Sequence, residues 1–231
     1  MPNAIQTFLS SRPARTTTAH LPIITGPHQA SHIWFQKEGR YDYLYEEHYI
    51  STHPKAQGGK AGSQSGPGLH LHLKQDEYFK VVEGKLGVSI DGKDHYLTPE
   101  SPEAIVPAGS VHRFWPEEGG GQTGNLIIKV RVDKYPGGFD ERFMRNMLSY
   151  IADCEKANTS PSLFQIILFG YAHDICLAFP LPRAILQPLH WFLGYVVASR
   201  LLGYQESYPE YYATATATIP PSPPIQDKKD L

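Results

Sequence analysis

The stretch GLHLHLKQDEYFKVVEGKLGV, Gly68 to Val88, decides how the rest of the chain is read. Leucine and histidine alternate from Leu69 to Leu73, so in an extended strand His70 and His72 project from one face. Lys74, Gln75 and Asp76 break the alternation as a turn. Glu77 then opens a second strand and faces back toward the two histidines. Phe79 and Val81 fall on the same face as Glu77, and Gly84 marks a second short turn.

Outward from this segment the pattern repeats. Downstream, the runs LGVSI, HYLT, AIV, VHRFW and NLIIKVRV are separated by DGK, PESPE, PAG and EEGGGQTG. Asp91-Gly92 suits a two-residue hairpin, where both central residues need positive φ. Upstream, YDYLYEEHYIST (41–52) is aromatic and roughly alternating, with Tyr43, Tyr45 and Tyr49 in phase. One of these tyrosines is placed to donate a proton, although strand tyrosines more often pack. The glycine- and serine-rich run at 55–68 lies just ahead of His70, where a lid over a barrel mouth would sit. Six or more short strands joined by tight turns imply an antiparallel sandwich or barrel.

A third histidine, His112, lies in PAGSVHRFWP (107–116), where Pro107 and Gly109 shape a turn that delivers it early on its strand. Three imidazoles and a carboxylate on neighbouring strands make a closed set of nitrogen and oxygen ligands. His70, His72, Glu77 and His112 therefore suit a divalent ion: iron, manganese, nickel, copper or zinc. Phe114 shares a face with His112. With Phe79 and Val81 it is expected to line an apolar pocket beside the ion, better suited to an aromatic or polyketide-like substrate than to a sugar phosphate.

The spacings H-x-H-x4-E-x6-G (His70, His72, Glu77, Gly84) and P-x-G-x2-H (Pro107, Gly109, His112) resemble the two motifs of the cupin superfamily. All four ligand positions are filled. Two structural positions differ: the leading glycine is displaced to Gly66 or Gly68, and the trailing asparagine is Pro116. The resemblance implies a mainly β cupin (jelly-roll) barrel and favours iron or manganese over zinc, nickel or copper. More loosely, the chain resembles fungal single-cupin oxidoreductases of polyketide gene clusters. That resemblance implies a metal-dependent oxidoreductase or oxygenase acting on an aromatic or polyketide-type intermediate. The alternatives are a non-redox isomerase, cyclase or dehydratase using the same ion, and a small-molecule-binding cupin without turnover.

Composition sets outer limits. The chain has 231 residues and a formal net charge of −2, with no long basic run, which argues against a nucleic-acid partner. Two cysteines, Cys154 and Cys176, give no disulfide framework. The first residues lack an apolar signal core, so a cytoplasmic location is expected. The expected organisation is a polar arm (1–30), the barrel (31–135), a C-terminal α-helical extension (139–203) and a disordered proline-rich tail (212–231). Asp140 is the expected N-cap of a helix whose Phe143, Met144, Met147, Leu148 and Ile151 share one face. Two apolar runs, 164–181 and 185–202, are expected to form a helical hairpin. It packs on the barrel or in a homodimer interface, with peripheral membrane association as the other reading.

Overall fold

The computed structural model describes residues 12–36, 43–117 and 125–213. The residues expected to form the disordered tail lie, from 214 onward, outside the described residues, as does most of the glycine run at 117–124.

Among the described residues, eleven strands form two antiparallel sheets. One carries β1 (Ile23–Thr25), β2 (Ser31–Phe35), β3 (Tyr45–Tyr49), β10 (Leu126–Val132), β5 (Glu77–Glu83) and β8 (Ala104–Val106), in the spatial order β1-β2-β3-β10-β5-β8. The other carries β4 (His70–His72), β6 (Leu86–Ile90), β7 (Lys93–Leu97), β9 (His112–Pro116) and β11 (Ile175–Leu177), in the order β11-β4-β9-β6-β7. The inner faces meet in one core built from Ile33, Phe79, Val81, Val88, Phe114, Ile128 and their neighbours. Inward side chains alternate along β3, β5 and β10, as the period-two pattern requires, and are apolar or aromatic except for Glu47 on β3 and Glu77 on β5. The arrangement is a mainly β, two-sheet barrel with C-terminal helices.

Turn chemistry sets the register. Asp91 and Gly92 both take positive φ (47° and 81°), closing the β6–β7 hairpin with Ile90 opposite Lys93. Gly84 joins β5 to β6 at φ 84°, and a Cβ there would sit 2.3 Å from the Asn125 carbonyl oxygen. β7 is an exposed edge, and Lys93, Asp94 and His95 keep it soluble.

Both ends of the sheets extend past the limits read from the sequence. β1 lies within the polar arm. β11 lies within the first apolar run of the helical region, and this changes the meaning of that run. α1 (Glu141–Lys156) begins as expected, with the Asp140 carboxylate accepting from the Phe143 amide at 2.8 Å. α2 (Leu163–Ala172) then stops, the chain reverses through Asp174 at φ 55°, and Ile175–Leu177 pairs with β4. The apolarity of this run serves a buried strand beside the one that carries His70 and His72. α3 (Arg183–Trp191) follows, and α4 (Phe192–Leu201) continues it with a wider winding. No helix among the described residues is long and apolar enough to cross a membrane. Ile185, Trp191, Phe192 and Leu201 remain exposed on this pair.

Candidate metal centre

His70 and His72 leave β4 on one face, as strand alternation demands, and β4 pairs with β9 so that His70 stands opposite His112. The turn at Lys74–Asp76 carries the chain across to the other sheet. Gln75 secures it, accepting from the Phe139 amide at 2.6 Å and donating to the Asp133 carbonyl at 2.8 Å. Glu77 then opens β5 facing the histidines. The three imidazole rings lie 4.2–5.2 Å apart, centroid to centroid. One ligand atom from each of His70, His72, Glu77 and His112 lies within 4.8 Å of all the others.

The tautomers are set by the backbone. Nδ1 of His70 donates to the Gly68 carbonyl at 2.9 Å, and Nδ1 of His112 donates to the Ser110 carbonyl at 3.0 Å. Both Nε2 atoms are thereby turned toward the cluster, the outer-shell arrangement of metal-ligating histidines. His112 Nε2 contacts Glu77 Oε2 at 2.9 Å. Burial works against the His112 cation, but the Glu77 carboxylate outweighs it and raises the pKa. Burial, with His112 beside it, lowers His70 to about 3. Burial and the other two rings push His72 well below its ordinary value. Lowered in this way, both rings favour the neutral form, the one that can bind a metal ion.

His72 is the telling member. It is buried against the Phe139 ring, 5.0 Å away, and neither of its ring nitrogens has a hydrogen-bond partner. A buried polar group left unpaired costs about 1–3 kcal/mol, and native structures rarely keep one without a reason. A divalent ion fits here. Metal–nitrogen bonds of 2.0–2.1 Å place opposed ligand atoms about 4.2 Å apart at most. The present spread closes with shifts of a few tenths of an ångström per side chain.

The cluster borders a cavity of about 220 Å³. Of the residues expected to line it, Phe114 does. Phe79 and Val81 are not among its lining residues: they sit in the core between the sheets, with the Phe79 ring 5.0 Å from that of Phe114. The far wall comes from α1, whose expected apolar face (Phe143, Met144, Met147, Leu148, Ile151) all reaches the cavity. Ser65, Pro67 and Gly68 place the glycine-rich loop at its edge, and Gly66 lets that loop pass against the Phe114 carbonyl, which a Cβ would approach to 2.1 Å. Tyr45 and Tyr49 line it, whereas Tyr43 lies outside β3 and stacks beneath Lys129. His190 also reaches the cavity but is occupied: its Nε2 accepts from the Leu177 amide at 2.9 Å, and its Nδ1 donates to Leu186.

The sequence reading missed Glu47. It shares its inward face with Tyr45 and Tyr49, is buried, and lines the cavity. The signal was present in YEEHY: if Tyr45 and Tyr49 point inward, period two forces Glu47 inward as well.

No family model matches the chain. It is 38% identical over 218 residues to a protein described as a probable oxidoreductase, virH, of Hypocrea virens. The match covers 90% of this chain and 94% of that protein. The chain belongs to this family of fungal oxidoreductases. The oxidoreductase iacF of Pestalotiopsis fici is 36% identical over 182 residues, covering 77% of this chain and 86% of iacF. The epoxidase atD of Aspergillus terreus is 31% identical over 153 residues, covering 63% of this chain and 47% of atD. Among solved structures, a sugar phosphate isomerase of the cupin superfamily from Silicibacter pomeroyi is 19% identical, with a TM-score of 0.34 over 54% of this chain and 73% of its own. The present member of this fungal oxidoreductase family carries a buried His/Glu cluster at the edge of a largely apolar chamber.

Proposed function

We propose that the protein is a metal-dependent oxidoreductase acting on a ring-sized aromatic or polyketide-type intermediate of secondary metabolism. His70, His72, Glu77 and His112 hold a divalent ion, iron or manganese. The observation that carries this reading is the buried His72 ring with both nitrogens unpaired, surrounded by the other three ligand side chains. When bound, such an ion supplies Lewis-acid and one-electron chemistry at a substrate oxygen.

The chain's own residues account for the selectivity. Three neutral imidazoles and one carboxylate leave a divalent centre with a net positive charge, which favours an enol, phenol or carbonyl oxygen. Most of the chamber wall is apolar and aromatic, with Ile33, Phe114, Phe139, Phe143 and Met144 facing the space, and among the described residues no lysine or arginine lines it to bind a phosphate. An engineered apolar cavity of about 150 Å³ holds benzene, so the larger volume here takes a substituted ring. α1 and the 63–68 segment exclude water from the bound ring. The Gly68 and Ser110 carbonyls hold the His70 and His112 rings in place. The names of the relatives, oxidoreductase and epoxidase, support oxidation as the reaction class.

The test is elemental analysis of the purified protein, with oxygen consumption in the presence of phenolic and polyketide-type compounds. Bound iron or manganese, with oxygen uptake that disappears in His72→Ala and His112→Ala, supports the proposal. Conversion with zinc and no oxygen uptake moves the reaction to Lewis-acid isomerisation, cyclisation or dehydration. Tight binding of such compounds, unaltered by both substitutions and without conversion, leaves a binding cupin.

A further inference from the structure

Glu46 and Glu47 are adjacent on β3 and meet opposite fates. Glu46 faces outward, where it pairs with His48 at 2.6 Å and Lys129 at 3.6 Å. Glu47 faces inward, flanked across the sheet by Ile33 and Ile128. Among the described residues no lysine, arginine or histidine pairs with it. Its partners are hydroxyls: Ser31 Oγ donates at 2.6 Å, and the Tyr49 hydroxyl donates as well. Ser31 is itself fully buried, and it fits only because residue 26 is glycine. A Cβ on Gly26 would lie 2.1 Å from Ser31 Oγ and 3.4 Å from Glu47 Oε1. A carboxylate without a counter-charge in an apolar wall is costly to bury, and an apolar residue would pack there at less cost. Three positions on three segments (Gly26, Ser31 and Tyr49) nevertheless cooperate to hold this one in the wall of the chamber.

We propose that Glu47 is the proton-transfer residue of the chamber, taking the proton of a substrate hydroxyl. This rests on the reading of the chamber as the substrate site. The substrate O–H bond breaks, its electron pair stays on the substrate oxygen, and a new O–H bond forms on Glu47. The proton returns by the reverse transfer, and no oxidant or reductant enters this step. Ser31 and Tyr49 are positioning residues for the carboxylate. Burial raises the Glu47 pKa to about 7, opposed by the hydroxyls of Ser31 and Tyr49. The group thus exchanges protons near neutral pH, the range a general base needs. The other titratable groups facing the chamber are Tyr45, Tyr49, Glu77, His70 and His190. Burial places both tyrosines well above their ordinary range and both histidines below theirs.

The experiment is calorimetric titration of the full-length purified protein with p-cresol, a phenol that stays neutral from pH 5.5 to 8.5. Its hydroxyl binds more strongly to a carboxylate than to a carboxyl, so affinity rises about five- to ten-fold across this range in the wild type. Glu47→Gln removes the rise while keeping the fold, which a thermal melt checks. Ser31→Ala moves the rise to higher pH. Met147→Trp, which fills the chamber from α1, abolishes binding. If Glu47→Gln keeps the wild-type affinity and pH profile while Met147→Trp blocks binding, the proton-transfer role is overturned and the substrate chamber stands. If the wild type does not bind p-cresol, or Met147→Trp leaves binding unchanged, both are overturned.

Discussion

Replacing His72 by leucine is expected to change stability in opposite directions with and without metal, and the crossing point can be worked out. The ring is buried with two unpaired nitrogens. In metal-free protein, leucine removes that desolvation penalty at similar volume and keeps contact with Phe139. A gain of about 2 kcal/mol follows. For a chain of this length that is a Tm increase of about 4–8 °C. In metal-loaded protein the wild type gains RT ln(1 + [M]/Kd), which is about 2.7 kcal/mol at a free-ion concentration of 100 Kd and about 4.1 at 1,000 Kd. The leucine variant, with three ligands left, gains little. The two melting curves therefore cross when the free ion reaches about 30 times the wild-type Kd. The assay is differential scanning calorimetry of chelator-treated protein, repeated over a series of Mn²⁺ concentrations and anaerobically with Fe²⁺. A lower Tm for the metal-free variant would mean that His72 is a satisfied core residue. Equal stabilisation of both proteins by the ion would place the metal elsewhere. Either result refutes the reasoning.

Other outcomes follow from the same structure. The folded Glu47 carboxyl keeps its proton up to about pH 7, against an ordinary value of 4.5, so the folded chain binds more protons over that interval. Its contribution to stability therefore falls as pH rises from 4.5 to 7, and Glu47→Gln, compared with wild type by urea unfolding, gains up to about 3 kcal/mol between those limits. A pH-independent difference would count against a proton-holding Glu47. Gly84→Ala forces a left-handed residue and a collision with the Asn125 carbonyl, and loses about 2 kcal/mol or more by the same measurement. Asp140→Ala removes the N-cap of α1, costs about 1 kcal/mol and lowers the Tm by about 2–4 °C.

What the sequence disclosed and what it hid divide along a physical line. The convergence of His70, His72, Glu77 and His112 was legible because it depends on local rules: alternation on β4, a three-residue turn, and a glycine-shaped turn before β9. The apolar face of α1 was legible for the same reason. The edge strand β11 was hidden, because an apolar run buried on both sides reads alike as helix or strand. Its pairing of Ile175 with His72 is a contact across about a hundred residues, and no local signal encodes it. Phe79 and Val81 show a further limit. Period two fixes which face a side chain takes but not how far along the strand the cavity extends. Glu47 was hidden for a third reason. Beside Glu46 and His48 it looks like part of a solvated polar strand; its phase with Tyr45 and Tyr49 was the one local signal, and the pairing of β3 between β2 and β10 shows that this face is the inner one. A charge placed against its local pattern is where sequence rules fail on purpose, since sites that do chemistry retain groups that packing alone would discard. The His/Glu cluster and Glu47 share that property: each is costlier to bury than the leucine or isoleucine that would fill its place, and both border the same chamber.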